Sequence, residues 1–134
     1  MTEGIISLTP DPRFGALFRT SLALGGLAGA AGVISLALSA HSSASSLLQT
    51  AGQMLLSHAP LFICIALLSR SRNIPFLAVS ATSLTLGLTL FSGDLISRAF
   101  LSHKLFSMAA PTGGILIILA WLTLVLSALR TTPK

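Results

Sequence analysis

Charge is scarce in this chain. Eight Lys and Arg and three Asp and Glu residues serve 134 positions, or 8%, against roughly 25% in an ordinary soluble domain. A soluble domain of this size has a large surface to cover with polar groups, so water is excluded as its main solvent. Acidic residues are rarest. Beyond the N-terminal flank there is only Asp94, which leaves no carboxylate pair for general acid–base work. A single cysteine, Cys64, excludes an internal disulfide and a CxxC centre; inside an apolar run it reads as a small buried hydrophobe. There is no GxGxxG, phosphate loop, HExxH or GxSxG, so no enzyme, metal or cofactor is expected. The net charge of +5 does not point to nucleic acid. The basic residues are scattered, and the few aromatics form no base-stacking pattern.

What is present is hydrocarbon. Four apolar runs stand out: TSLALGGLAGAAGVISLALSA (20–40), AGQMLLSHAPLFICIALL (51–68, its helix starting near Ser46), IPFLAVSATSLTLGLTLFSG (74–93) and MAAPTGGILIILAWLTLVLSAL (108–129). Each supplies the roughly 20 residues that a helix needs to cross about 30 Å of hydrocarbon. Backbone amides in lipid must be satisfied within the segment, and no run alternates like a membrane strand. The expectation is an all-α, four-helix transmembrane bundle in a lipid bilayer, with helices at about 20–40, 46–68, 74–93 and 108–129. Residues 1–19 form a cytoplasmic lead and 130–134 a cytoplasmic tail. The second run is the least apolar, because it holds Gln53, Ser57, His58 and Pro60. No internal repeat is evident.

Lys and Arg counts give the orientation. Arg13, Arg19, Arg70, Arg72, Arg130 and Lys134 share one side; Arg98 and Lys104 hold the other. Both termini are therefore expected in the cytoplasm. Arg13, Arg19 and the small residues ALSA at 37–40 also resemble a secretory signal. The apolar run is longer than a usual signal core and rich in glycine, so it is expected to stay as an anchor. Pro75 fits the first turn of the third helix, and residues 94–107 fit a short helix on the outer surface.

Helices in lipid associate by close packing and a few polar contacts. Gly25, Gly29 and Gly32 give the first helix a small face, as do Ser80, Ser83 and Gly87 in the third and Gly113 and Gly114 in the fourth. The first of these faces serves packing inside the bundle or a seam with a second copy. Trp121 is expected to fill space or face lipid.

Among polar residues, His58 falls near the midplane. Hydrocarbon opposes an imidazolium there, so a neutral ring bonded to a carbonyl or hydroxyl is expected. Pro60 frees a carbonyl near residue 56, an opening for water or for the ring. An intramembrane ionisable group points to function by default, yet a structural role in holding two helices serves equally. Asp94 and Arg98 have the spacing of a one-turn ion pair. His41, His103 and Asp94 share the outer side, without close ligand spacing for a metal.

The runs FSGD (91–94), APTGG (110–114) and AW (120–121) resemble the C-terminal half of domain of unknown function 423, the transmembrane protein 256 family. Members show an FSGS-type helix end, then TPxGG and a GW. SAHS (39–42) and SHA (57–59) stand where the family has GAHG-like and YHA-like motifs, which puts His41 and His58 at its histidine positions. Asp94 replaces a common serine, Ser57 replaces an aromatic, and the first linker is short. The likeness spans roughly 20–129. It implies a multi-pass protein of bacterial inner membranes and transfers no reaction. The function expected is a non-enzymatic scaffold or stabilising component of a larger membrane complex. The alternative is a homo-oligomeric, proton-linked carrier using His58.

Overall fold

A computed structural model describes residues 12–71 and 74–130. Four helices account for nearly all of them: α1 (Pro12–Ser39), α2 (Ser45–Ser71), α3 (Leu77–Leu101) and α4 (Ala109–Arg130). There is no strand among the described residues. All four helices are long and apolar enough to cross a membrane. Even α4, the shortest at 22 residues, is about 33 Å long, against about 30 Å of hydrocarbon. The chain is a small multi-pass membrane protein.

Several element ends differ from the sequence expectation. Helix α1 starts at Pro12 instead of residue 20, because proline is pre-organised for a first turn. Helix α3 runs on through Leu101 instead of stopping at residue 93, so residues 94–101 are not a separate surface helix. The aspartate that seemed to end the helix finds its partners from within it. Ser102, with a left-handed backbone (φ 56), closes the helix. Pro75 lies outside α3. Phe76 takes the N-cap position at φ 63 without a side-chain cap, and the Pro75 carbonyl accepts the Ser127 hydroxyl of α4. Helix α2 continues through Pro60 without a break.

The helices pair as α1 with α2 and α3 with α4, and the two hairpins join through α2 and α3. Helix α1 touches α3 only briefly, and α4 does not approach α1. Arg19, Arg70 and Arg130 end up at one end of the bundle. The Arg70 guanidinium lies 4.8 Å from the Phe18 ring, and that of Arg130 lies 5.6 Å from the Phe76 ring. Arg98 and Lys104 fall at the other end, with the two hairpin loops. The side chain of Arg13, and all of Arg72, Lys134 and residues 1–11, lie outside the described residues. Cys64 is exposed, not buried as its apolar setting suggested. With lipid as solvent, an apolar neighbourhood does not imply a protein interior.

The two hairpins repeat one another. In the first, a Cβ on Gly32 would meet the Leu56 nitrogen at 2.9 Å and the Gly52 carbonyl oxygen at 3.1 Å; one on Gly52 would meet Leu36 Cγ at 2.8 Å and the Gly32 oxygen at 2.9 Å. In the second, a Cβ on Gly87 would meet the Ile117 nitrogen and the Gly113 oxygen, both at 2.9 Å, and one on Gly113 the Gly87 oxygen at 2.7 Å. Each helix thus brings a glycine and, one turn on, a bulky residue that fills the partner's notch. One constant shift carries Gly25, Ala28, Gly32 and Leu36 of α1 onto Ser80, Ser83, Gly87 and Phe91 of α3. A second carries Gly52, Leu56 and Ala59 of α2 onto Gly113, Ile117 and Ala120 of α4. The sequence hid this repeat because most positions between these anchors differ.

Candidate functional site

His58 sits midway along α2 and is half-buried. A helical side chain leans toward the N-terminus, so the ring reaches back one turn. Its Nδ1 lies 2.8 Å from the Met54 carbonyl oxygen, not at the carbonyl freed by Pro60. A carbonyl only accepts, so Nδ1 carries the hydrogen. On the other side of the ring, Trp121 Nε1–H donates to His58 Nε2 at 3.4 Å. Both nitrogens are thereby assigned in the neutral Nδ1–H tautomer. The indole and imidazole meet edge-on, with centroids 6.2 Å apart and planes at 64°.

This pair spans a gap. The backbones of α2 and α4 do not come into contact, so two long heteroaromatic side chains bridge them. Trp121 remains 48% exposed, which agrees with its facing lipid, but its hydrogen bond was not expected. The signal was available. His58 and Trp121 each lie near the middle of a spanning helix, so they share a depth, and each needs a complementary partner there.

Ser57 Oγ is 3.1 Å from His58 Nδ1 and also donates to the Met54 oxygen at 3.2 Å. A serine nucleophile needs a lone pair on the facing nitrogen. Here that nitrogen bears hydrogen, so the two do not form an activated pair.

Asp94 is 2% exposed, two turns before the end of α3. Its Oδ1 accepts the Leu105 amide at 2.8 Å, and its Oδ2 is 3.6 Å from Arg98 Nη1. Ser97 Oγ donates to the His103 carbonyl at 3.0 Å. Together Asp94 and Ser97 tie down the loop between α3 and α4. His41 lies exposed in the turn after α1. Among the described residues, no group of three His, Cys, Asp or Glu side chains is placed to hold a metal ion. Leu105 was missed from the sequence because it acts through its backbone.

The small residues sort by helix pair. Gly25 of α1 approaches Ala59 O, where a Cβ would come to 3.1 Å. At the matching positions Ser80 Oγ donates to Ala120 O at 2.9 Å, and Ser83 Oγ to Leu116 O at 2.8 Å. A Cβ on Gly29 would make only ordinary contact, with Ala59 Cβ at 3.7 Å, and one on Gly114 would just reach Phe91 at 4.0 Å. Gly25, Gly32 and Gly113 are therefore the tight positions, and Gly52 and Gly87 are their counterparts across the seams.

Comparison with known proteins gives one assignment. No curated protein and no solved structure matches the chain. The family model described as a protein of unknown function, DUF423, matches residues 28–114. That range takes in the C-terminal part of α1 from Ala28, all of α2 and α3, and the glycine turn that opens α4. It covers well over half of the sequence, and the chain therefore belongs to the DUF423 family of small membrane proteins.

Proposed function

We propose that this protein is a non-enzymatic scaffold or stabilising component of a membrane assembly. The observation that carries this is the state of His58. Its two nitrogens are engaged by Met54 and Trp121, so it joins helices and offers no free base. Close glycine crossings and serine-to-carbonyl bonds fill the hairpin seams, as a rigid structural element requires. Asp94 and Ser97 act in the same sense by fixing a loop. We place the protein in a bacterial inner membrane with both termini cytoplasmic. Arg19, Arg70 and Arg130 at one end support that side as the cytoplasmic one under the positive-inside rule.

One observation favours a second reading, a proton-linked carrier. The Trp121–His58 bond is long at 3.4 Å, so the ring nitrogen is loosely held. Two experiments decide. Mass measurement of the intact assembly, purified gently from native membranes, reveals a stoichiometric foreign polypeptide if the scaffold reading holds. Reconstituted vesicles reveal proton flux abolished by His58→Leu if the carrier reading holds, and that flux would overturn the scaffold.

A further inference from the structure

The hairpin repeat implies one interface more than a single copy contains. In α3, one stripe faces α4 through Ser80, Ser83, Gly87 and Phe91. A second stripe, Leu77, Ala81, Leu84 and Leu88, is buried in one apolar cluster with Phe62 and Ile65 of α2. The shift that relates α3 to α1 carries this second stripe onto Leu22, Gly26, Gly29 and Val33. There only Gly29 reaches a helix, where a Cβ would lie 3.7 Å from Ala59 Cβ of α2, and the rest of the stripe is open. Leu22 and Val33 are 45% and 57% exposed, and a Cβ on Gly26 would find nothing within 4 Å.

The complementary face is vacant as well. On α2 the residues turned toward α3 include Phe62 and Ile65, both fully buried. The shift that relates α2 to α4 carries Leu55, His58, Phe62 and Ile65 onto Leu116, Leu119, Thr123 and Leu126. Leu119 and Leu126 are 45% and 51% exposed. This face lies on the side of α4 away from Trp121, so α2 does not cover it.

We propose that α4 of one copy docks on α1 of a second copy and reproduces between chains the α2–α3 interface found within one. The operation that carries the first hairpin onto the second, applied once more, places the first hairpin of a neighbour. The occupant is thus a second copy of this chain, seated by continuity with an interface the fold already uses. Such a contact joins two different faces, so it builds rings or rows and not two-fold dimers. Apolar exposure in lipid does not by itself call for a partner. The repeat adds what exposure lacks, a fixed correspondence of faces and level: Ser80 bonds Ala120, whose neighbour Trp121 bonds His58, so Ala81 and His58 share a level, and the two shifts carry them onto Gly26 and Leu119. The proposal rests on the repeat and not on the scaffold reading.

Cross-linking in native membranes tests it. In a Cys64→Ser background, Gly26→Cys is placed in one tagged copy and Leu119→Cys in a copy with another tag. Co-expression followed by oxidation or a short bismaleimide is expected to link the two tags. Either variant expressed alone is expected to give at most a tenth of that yield. Dominant self-linking of Gly26→Cys would indicate a two-fold seam through α1 and overturn the proposal, as would the absence of mixed product. Gly26→Leu provides a second measure. Its side chain has open space within one copy, so the fold is expected to persist while the intact mass falls to that of a single chain. An unchanged assembly mass for this variant also overturns the proposal.

Discussion

Gly87 and Gly113 face each other across the α3–α4 crossing so closely that a Cβ on either would come within 2.9 Å of the other's carbonyl oxygen or nearer. Gly32 and Gly52 come nearly as close across α1 and α2, at 3.1 Å from the Gly32 side and 2.9 Å from the Gly52 side. Neither notch can accept a methyl group without moving a backbone. The hairpins are therefore set by where glycine permits contact, since lipid supplies no hydrophobic preference for one helix face over another.

Gly113→Ala and Gly32→Ala are expected to lower thermal stability in detergent by about 1–3 kcal/mol each, the usual cost of overpacking. Gly26→Ala is expected to be neutral or slightly stabilising, because its Cβ enters open space and alanine favours helix by about 1 kcal/mol. Equal losses at Gly26 and Gly113 would contradict the seam geometry.

The serines separate by partner. Ser80→Ala removes a bond to the Ala120 carbonyl and is expected to cost about 0.6 kcal/mol, typical for a polar contact between membrane helices. Ser21 and Ser92 are buried with no hydrogen-bond partner. Ser21→Ala and Ser92→Ala remove an unsatisfied group, so stability is expected to hold or rise. Paired melting curves in one detergent make the comparison.

Asp94→Ala leaves the Leu105 amide without its acceptor. The expected loss is about 1–3 kcal/mol, with faster hydrogen exchange in residues 102–108 than elsewhere. Asp94→Asn keeps an acceptor oxygen and is expected to recover most of that protection. Arg98→Gln is expected to change stability by less than about 1 kcal/mol, as for a partly exposed ion pair. Protection that survives Asp94→Ala would remove Asp94 as the loop's anchor.

Trp121 is the only tryptophan, so its indole N–H gives a single resonance. In His58→Leu that proton loses its acceptor, and its signal is expected to move upfield while the fold persists. The nitrogen shifts of His58 are expected to report the Nδ1–H tautomer. An unmoved indole signal in the leucine variant would mean that the two rings do not meet.

Much of the architecture was legible in the residues. Four runs of sufficient length and hydropathy indicated four helices, and the scarcity of charge indicated their solvent. The Asp94–Arg98 spacing indicated the ion pair, which is local to one helix. FSGD and APTGG pointed to the family. Helix ends were less legible, because Pro12 and the partners of Asp94 act through neighbours that hydropathy does not register. The His58–Trp121 contact joins distant segments and was legible only as a shared mid-helix depth, whereas Leu105 contributes only an amide, so no side-chain pattern announced it.

Sequence alone therefore determined the solvent and the number of membrane-length helices, because each is a sum over one continuous segment. Only the tertiary structure decided which glycine meets which, that His58 is held between Met54 and Trp121, and that one hairpin is a copy of the other. Those outcomes depend on the rotation of each helix about its axis. In lipid, packing shape and single hydrogen bonds set that rotation, and the apolar content of a sequence carries almost no record of it.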